Sequence, residues 1–228
     1  MMSVVMVAPA ILAKTCEEFR QKLAVVLPLS NRIQIDIMDG KFVPNVTVGE
    51  DEIIDAKLLD AKTIEYHLMV DDPIAYMQKI SRNIPKNNAI YVFHAEAVRK
   101  PEEVIKFCKA NGLRVGMAIN PDTSPAVLAK FADELEMVMF MTVYPGFSGQ
   151  QYLAQVEEKI RGFRKSHPKI DIGVDGGITV SNASSAAKAG ANILAAASAL
   201  FTANNPALAI GRLSAIASEA VAVEVEQV

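Results

Sequence analysis

An α/β fold, the (β/α)8 or TIM barrel, is what this sequence predicts, on three observations. Eight short runs rich in Val, Ile and Met are spread along all 228 residues. Stretches with helical spacing and helix-boundary residues separate them, so consecutive strands are joined by the crossovers that parallel strands need. The first crossover, PAILAKTCEEF, lacks the glycine-rich fingerprint of a dinucleotide-binding open sheet, the rival architecture. Eight strand-helix repeats close a barrel, although about 250 residues is usual and this chain is slightly shorter.

The first strand is read over SVVMVA (3–8). Thr15 and Glu18 then have the spacing of a capping box, which starts the first helix. IQIDI (33–37), TIEYHLM (63–69), AIYVFH (89–94) and RVGMAI (114–119) are strands two to five. Ser124-Pro125 supplies an N-cap and a proline at the first helical position. EMVMFMT (136–142) and IDIGV (170–174) follow, Ser181 opens a helix that Gly190 closes, and NILAA (192–196) is the eighth strand. Nothing looks like a linker, so residues 1–228 are expected to form a single barrel domain, with a short, frayed tail from about 220.

Composition narrows the function classes. The chain is 51% hydrophobic and 21% charged with a net charge of −3, enough apolar material for a sizeable core. It has no long basic run, which argues against nucleic acid or an anionic membrane as the main partner. MMSVVMVAPAIL has no basic leader and stops short of a membrane span, so it reads as a strand rather than a signal peptide. Cys16 and Cys108 complete no zinc pattern, and free thiols in a reducing cytoplasm are the expected state. Homo-oligomerisation is left open.

Active-site groups of such barrels come from the C-terminal ends of strands. Asp36 ends the second strand, His67 lies near the end of the third, His94 ends the fourth, and Asp175 follows the seventh. A buried carboxylate is costly without a cation, metal or proton beside it, and no lysine or arginine sits at the neighbouring strand ends. Asp36, His67 and Asp175 offer two oxygens and a nitrogen, a set suited to zinc, manganese or iron. A lone strand histidine is more often a hydrogen-bonded core residue, and both readings stand.

YPGFSGQ (144–150), DGGI (175–178) and AAASA (195–199) follow the last three strands. Glycines there let backbone N–H groups approach an anion, where barrels often bind phosphate, although tight βα turns also need glycine. Two carboxylates and a phosphate site suggest proton transfer on a phosphorylated small molecule. Inverting a centre beside a carbonyl needs a base on one face and an acid on the other.

IDIMDGKFVPN (35–45), HLMV (67–70), FHAEA (93–97), MTVYPGFSGQ (141–150) and VDGGI (174–178), in that order, resemble the ribulose-phosphate 3-epimerase family. The resemblance runs from PAIL near the start to the eighth strand. It implies a barrel of the ribulose-phosphate-binding type, interconversion of ribulose 5-phosphate and xylulose 5-phosphate, and a divalent metal, commonly zinc, iron or manganese. It implies that Asp36 and Asp175 are both the acid/base pair and metal ligands, with His67 a third ligand. Met38, Met69 and Met141 would line the site over the reacting carbons, though core packing accounts for methionines equally well. Gly146, Phe147, Ser148, Gly149, Gly176, Gly177, Ala197 and Ser198 would surround the phosphate.

Three positions depart from that pattern. Where the family has His-x-Asp, this chain has Gln34-Ile35-Asp36, so an amide, a poor zinc ligand beside imidazole, stands at the fourth ligand position. Pro9-Ala10-Ile11-Leu12 replaces Pro-Ser-Ile-Leu and loses a hydroxyl expected to contact substrate. Ala197-Ser198 replaces Gly-Ser, a mild change if the backbone avoids positive φ. Two alternatives follow: an epimerase of another ketose phosphate such as a hexulose 6-phosphate, or a phosphosugar-binding homologue without turnover. His94 with Glu96 supports strand four, or replaces the missing ligand if its ring reaches inward; His167 is expected to be solvated.

Overall fold

The computed structural model describes residues 5–49, 63–82 and 84–226. Its strands are β1 (Met6–Ile11), β2 (Arg32–Met38), β3 (Thr63–Met69), β4 (Ala89–His94), β5 (Arg114–Ile119), β6 (Met137–Met141), β7 (Asp171–Asp175) and β8 (Ile193–Ala196). They form a closed parallel barrel in sequence order, β8 pairing back onto β1 from Met6↔Ile193 to Pro9↔Ala196. The helices between and after them are α1 (Cys16–Val26), α2 (Pro73–Ile80), α3 (Pro101–Ala110), α4 (Ala126–Ala129), α5 (Val156–Ser166), α6 (Ala183–Lys188), α7 (Ser198–Phe201) and α8 (Pro206–Glu226). α8 carries helical backbone past residue 220, where the tail was expected to begin. Among the described residues, no helix is long and apolar enough to cross a membrane.

Most strand boundaries fall within a residue or so of the apolar runs, but β1 is displaced. The run expected at 3–8 begins outside the described residues, and the strand continues through Pro9, Ala10 and Ile11. Its far end is held by β2, through Ala10↔Gln34 and Ile11↔Ile35. Helix signals are similarly close but not identical. Thr15 Oγ1 accepts from Glu18 N–H as expected, whereas the Glu18 carboxylate accepts from Lys14 N–H rather than from Thr15. Pro125, not Ser124, is the N-cap of α4, and α6 begins after Asn182, whose side chain closes the preceding turn onto Thr179 N–H.

Alternation along each strand sorts side chains into two packed regions. Ile33, Ile35 and Ile37 of β2 and Tyr66 and Leu68 of β3 pack outward with helix residues such as Phe19, Leu23, Val104 and Ile160. Ala8, Ile90, Val92, Ala118, Met137, Met139, Met141 and Ile193 form a separate cluster inside the barrel. Glycines make room for the interior methionines: a Cβ on Gly116 would lie 2.8 Å from Met137 Cγ, and one on Gly173 3.0 Å from Met137 Cε. The opposite face of β2 from its isoleucines carries Arg32, Gln34, Asp36 and Met38. Polar groups in this strand therefore enter the barrel, not the helix-covered core.

At the N-terminal end of the barrel, Arg32 forms a buried ion pair with Glu65 and lies 3.5 Å from Asp171 Oδ2. Burial keeps the Glu65 pKa above its ordinary value even against the Arg32 charge. Charge at this end serves stability, because barrel chemistry sits at the other.

Candidate active site

Pairing register brings the predicted residues to one level at the C-terminal end. Asp36 faces His67 across β2 and β3, and Asp175 pairs with Met141 and Ala195 as the last residue of β7 rather than beyond it. His67 Nδ1 lies 3.1 Å from both Asp36 Oδ1 and Asp175 Oδ2. Gln34 Nε2 donates to Asp36 Oδ1 at 2.8 Å and to Asp175 Oδ2 at 2.7 Å, and stands 3.3 Å from His67 Nδ1. The amide thus turns its nitrogen toward the carboxylates and leaves its carbonyl oxygen, the atom that could ligate a metal, without a partner.

The partner that buried Asp36 requires is His67. Burial alone would lower the His67 pKa, but its hydrogen bonds to Asp175 and Asp36 outweigh burial and lift it to about 10. Burial raises the Asp36 pKa, and the Asp175 charge adds to the rise against the pull of His67 and Gln34.

Behind His67 lies a second layer. His67 Nε2 is 2.9 Å from His94 Nε2, with the rings stacked at 5.1 Å, so His94 does not reach the carboxylates as a substitute ligand. Burial takes His94 down to about 4. Neutral His94 accepts the Nε2 proton of His67, which leaves its own proton on Nδ1, facing Glu96 Oε2 at 3.5 Å. Glu96 accepts from Asn120 N–H and Thr123 Oγ1; these bonds and His94 outweigh its burial and hold its pKa at about 2. The contact with His94 at Nε2 keeps His67 Nδ1 aimed into the site.

Asp36, His67 and Asp175 each offer one ligand atom, all within 4.8 Å of one another, so the group could hold a metal ion. The donors fit such an ion: His67 is anchored through Nε2, as metal-bound histidines are, and Gln34 Oε1 is a buried oxygen with no partner that could turn inward.

Above this floor a cleft opens at the C-terminal end of the barrel. Asp36, Met38, Met69, Met141, Gly146, Phe147, Ser148, Gly149, Asp175, Gly176, Gly177, Ala197 and Ser198 all line it. Gln34 and His67 lie beneath rather than in its wall. Leu12, Val143, Pro145, Ile178 and Ala195 also line it; Pro145, Ile178 and Ala195 fall within the glycine-rich and small-residue stretches noted above, whereas Leu12 and Val143 are apolar residues that carry no distinguishing signal. Ala10, expected near substrate, is buried in β1 and is not among the lining residues. His167, expected in solvent, stacks on Phe163 at 4.3 Å.

The loops are fixed by their own residues. Asp39 Oδ1 accepts from Lys41 and Phe42 N–H, and its Oδ2 from Asp71 N–H, closing the DGKFVPN turn. Asn45 Nδ2 donates to Gly146 O at 2.8 Å, tying that turn to the YPGFSGQ loop, and Phe42 packs 4.9 Å from the His94 ring. Thr142 Oγ1 donates to Gly176 O at 2.6 Å and steadies the backbone beside Asp175. Gly177 has φ +65°, and a Cβ there would lie 2.7 Å from Tyr152 N and 2.8 Å from Gln150 O. Ala197 has φ −112°, so the position does not need the positive φ that would demand glycine.

The family profile described as Ribulose-phosphate 3 epimerase family matches residues 6–201. The chain belongs to the ribulose-phosphate 3-epimerase family. It is 34% identical over 206 residues to the ribulose-phosphate 3-epimerase of Schizosaccharomyces pombe, covering 88% of each chain. It is 37% identical over 187 residues to the cytoplasmic isoform of that enzyme from Oryza sativa subsp. japonica, covering 79% of this chain and 80% of that one. Among solved structures, 3-hexulose-6-phosphate synthase from Salmonella typhimurium superposes with a TM-score of 0.67 at 16% identity, over 94% of this chain and 99% of that one. KGPDC from Streptococcus mutans also gives 0.67, at 11% identity, over 95% and 98%. At such identities the likeness shows the fold alone. Within the epimerase family pattern, the two strand departures are neighbours: Ala10 is the register partner of Gln34.

Proposed function

We propose that this protein interconverts D-ribulose 5-phosphate and D-xylulose 5-phosphate by two-aspartate proton transfer through an enediolate. The observation that carries the reading is that Asp36 and Asp175, from strands far apart in sequence, both line one cleft, each 3.1 Å from the same His67 nitrogen. One carboxylate removes the C3 proton, the C–H electron pair moves into the C2–C3 bond, and the carbonyl oxygen takes the negative charge. The other carboxylic acid then returns a proton to the opposite face of C3, and the carbonyl re-forms. Microscopic reversibility exchanges their roles in the reverse direction.

Met38, Met69 and Met141 cover this centre with polarisable, apolar surface, which excludes water from the enediolate. The glycine loops at 146–149 and 176–177, with Ala197 and Ser198, present backbone groups to the phosphate. Asp36, His67 and Asp175, joined by Gln34 Oε1 if its amide turns, are the residues that would hold zinc, iron or manganese, and a bound ion would supply positive charge to the carbonyl oxygen. A single barrel domain is supported by closure between β1 and β8, and a cytoplasmic location by the likeness to a relative named as a cytoplasmic isoform.

A coupled assay for xylulose 5-phosphate formation tests the reading, with a hexulose 6-phosphate as the rival substrate. Turnover of ribulose 5-phosphate at least about tenfold more efficient, in kcat/KM, than of the hexulose ester supports it. The reverse preference, or turnover of neither, contradicts it.

Two variants probe the surroundings. Gly177→Ala is expected to push the loop off Tyr152 and Gln150, lowering stability by roughly 1–3 kcal/mol and raising KM at least about tenfold while kcat changes less. Thermal unfolding and steady-state kinetics check both effects. Glu96→Gln keeps an acceptor for Asn120 but removes the negative charge that faces His94 Nδ1 at 3.5 Å. It is expected to lower kcat by about 10–100-fold with KM nearly constant.

A further inference from the structure

We propose that Gln34 is a built-in bridge: its amide holds the two carboxylates together in the metal-free protein and competes with a metal ion for the same position. The inference rests on the epimerase reading only in taking Asp36 and Asp175 as the working groups.

The amide nitrogen stands 2.8, 2.7 and 3.3 Å from Asp36 Oδ1, Asp175 Oδ2 and His67 Nδ1. Those residues are the ones able to grip a cation, with ligand atoms all within 4.8 Å of one another. An ion among them and an inward amide nitrogen cannot coexist. Both amide hydrogens are committed to carboxylates, in bonds strengthened where an acceptor is ionised. Two N–H donors on one atom give each carboxylate a hydrogen of its own, whereas the single Nδ1 of His67, 3.1 Å from both, must share one. An imidazole in this place offers a single nitrogen to the site, either one N–H shared between the carboxylates or one lone pair for a cation.

The other end of the amide agrees with this role. Gln34 Oε1 is buried without a partner, and Ala10, beside it in the β1–β2 register, brings no hydroxyl to meet it. The side chain tolerates an orphaned oxygen because its nitrogen is doubly bonded to charge. A metal ion must turn the amide over, break both bonds and send the NH2 group to the side where the oxygen now has no partner. The consequences are a weakened metal site and an organised metal-free one.

The test compares the full-length protein with Gln34→His, using zinc and manganese as the probes. Competition against a chromophoric chelator is expected to give zinc binding about 100-fold weaker in the natural protein than in Q34H. Chelation is expected to leave the melting temperature of the natural protein unchanged and to lower that of Q34H. Equal affinities, or a natural protein that loses stability on chelation, would overturn the proposal. Should Q34H fail to fold, side-chain amide NMR of the natural protein decides. Two Gln34 N–H resonances protected from solvent exchange after chelation, and shifted together by zinc, support the bridge; rapidly exchanging ones overturn it. None of these readouts uses substrate, so a failed turnover assay strikes the epimerase reading alone, and a failed metal comparison strikes this one alone.

Discussion

Replacing Asp175 by asparagine is expected to abolish net epimerisation, lowering kcat by about 10³-fold or more while KM for the phosphorylated ketose moves little. Asparagine keeps the size of the side chain, and Thr142 still holds the backbone at Gly176, so the cleft persists. What disappears is a group able to take or give a proton. Asp36→Asn is expected to match it. Each variant retains one carboxylate, which still reaches its own face of C3. Slow exchange of the C3 proton with solvent should therefore survive for one epimer in each variant, without inversion. That one-sided exchange separates loss of a base from loss of a metal ligand, which would suppress exchange for both epimers alike. Proton NMR in D2O, starting separately from each ketose, makes the measurement.

Arg32→Met is expected to cost about 3–5 kcal/mol of stability, because it strands a fully buried carboxylate rather than merely removing an ion pair. Glu65 already has one oxygen without a partner, and its carboxyl is held above the ordinary range by burial even with Arg32 present. With the guanidinium gone it must take up a proton or admit water. For a chain of this size the loss corresponds to a fall of roughly 10 °C in Tm, measured by calorimetry. Activity of the folded fraction should hold, since the pair lies at the end of the barrel opposite the cleft. Adding Glu65→Leu to Arg32→Met is expected to recover much of the loss, as the coupling of a buried pair requires.

The barrel was legible because alternation and crossovers are local properties of the chain. Each strand declares itself within six or seven residues, and eight of them admit few closed arrangements. The site was legible to the extent that polar residues broke apolar runs at strand ends, as Asp36, His67 and Asp175 do. What was not legible depends on partners distant in sequence. Gln34 reads as a weak ligand until Asp175, 141 positions away, is seen to accept its second hydrogen bond. Arg32 reads as the edge of a strand until Glu65 and Asp171, 33 and 139 positions on, close around it. His94 reads as a spare ligand because its strand position resembles that of His67. Only the 2.9 Å contact between the rings shows that it stands behind that residue. The displaced β1 has a like origin, since its last two residues owe their strand conformation to pairing with β2.

The central claim is that two carboxylates serve opposite faces of a single sugar carbon. It is tested most directly by following C3 of ribulose 5-phosphate in D2O with the natural protein, with added zinc, manganese or iron and after chelation. The account predicts deuterium at C3 of both ribulose 5-phosphate and xylulose 5-phosphate, appearing together as the epimers equilibrate. Absence of deuterium from C3 under every one of these conditions would contradict it.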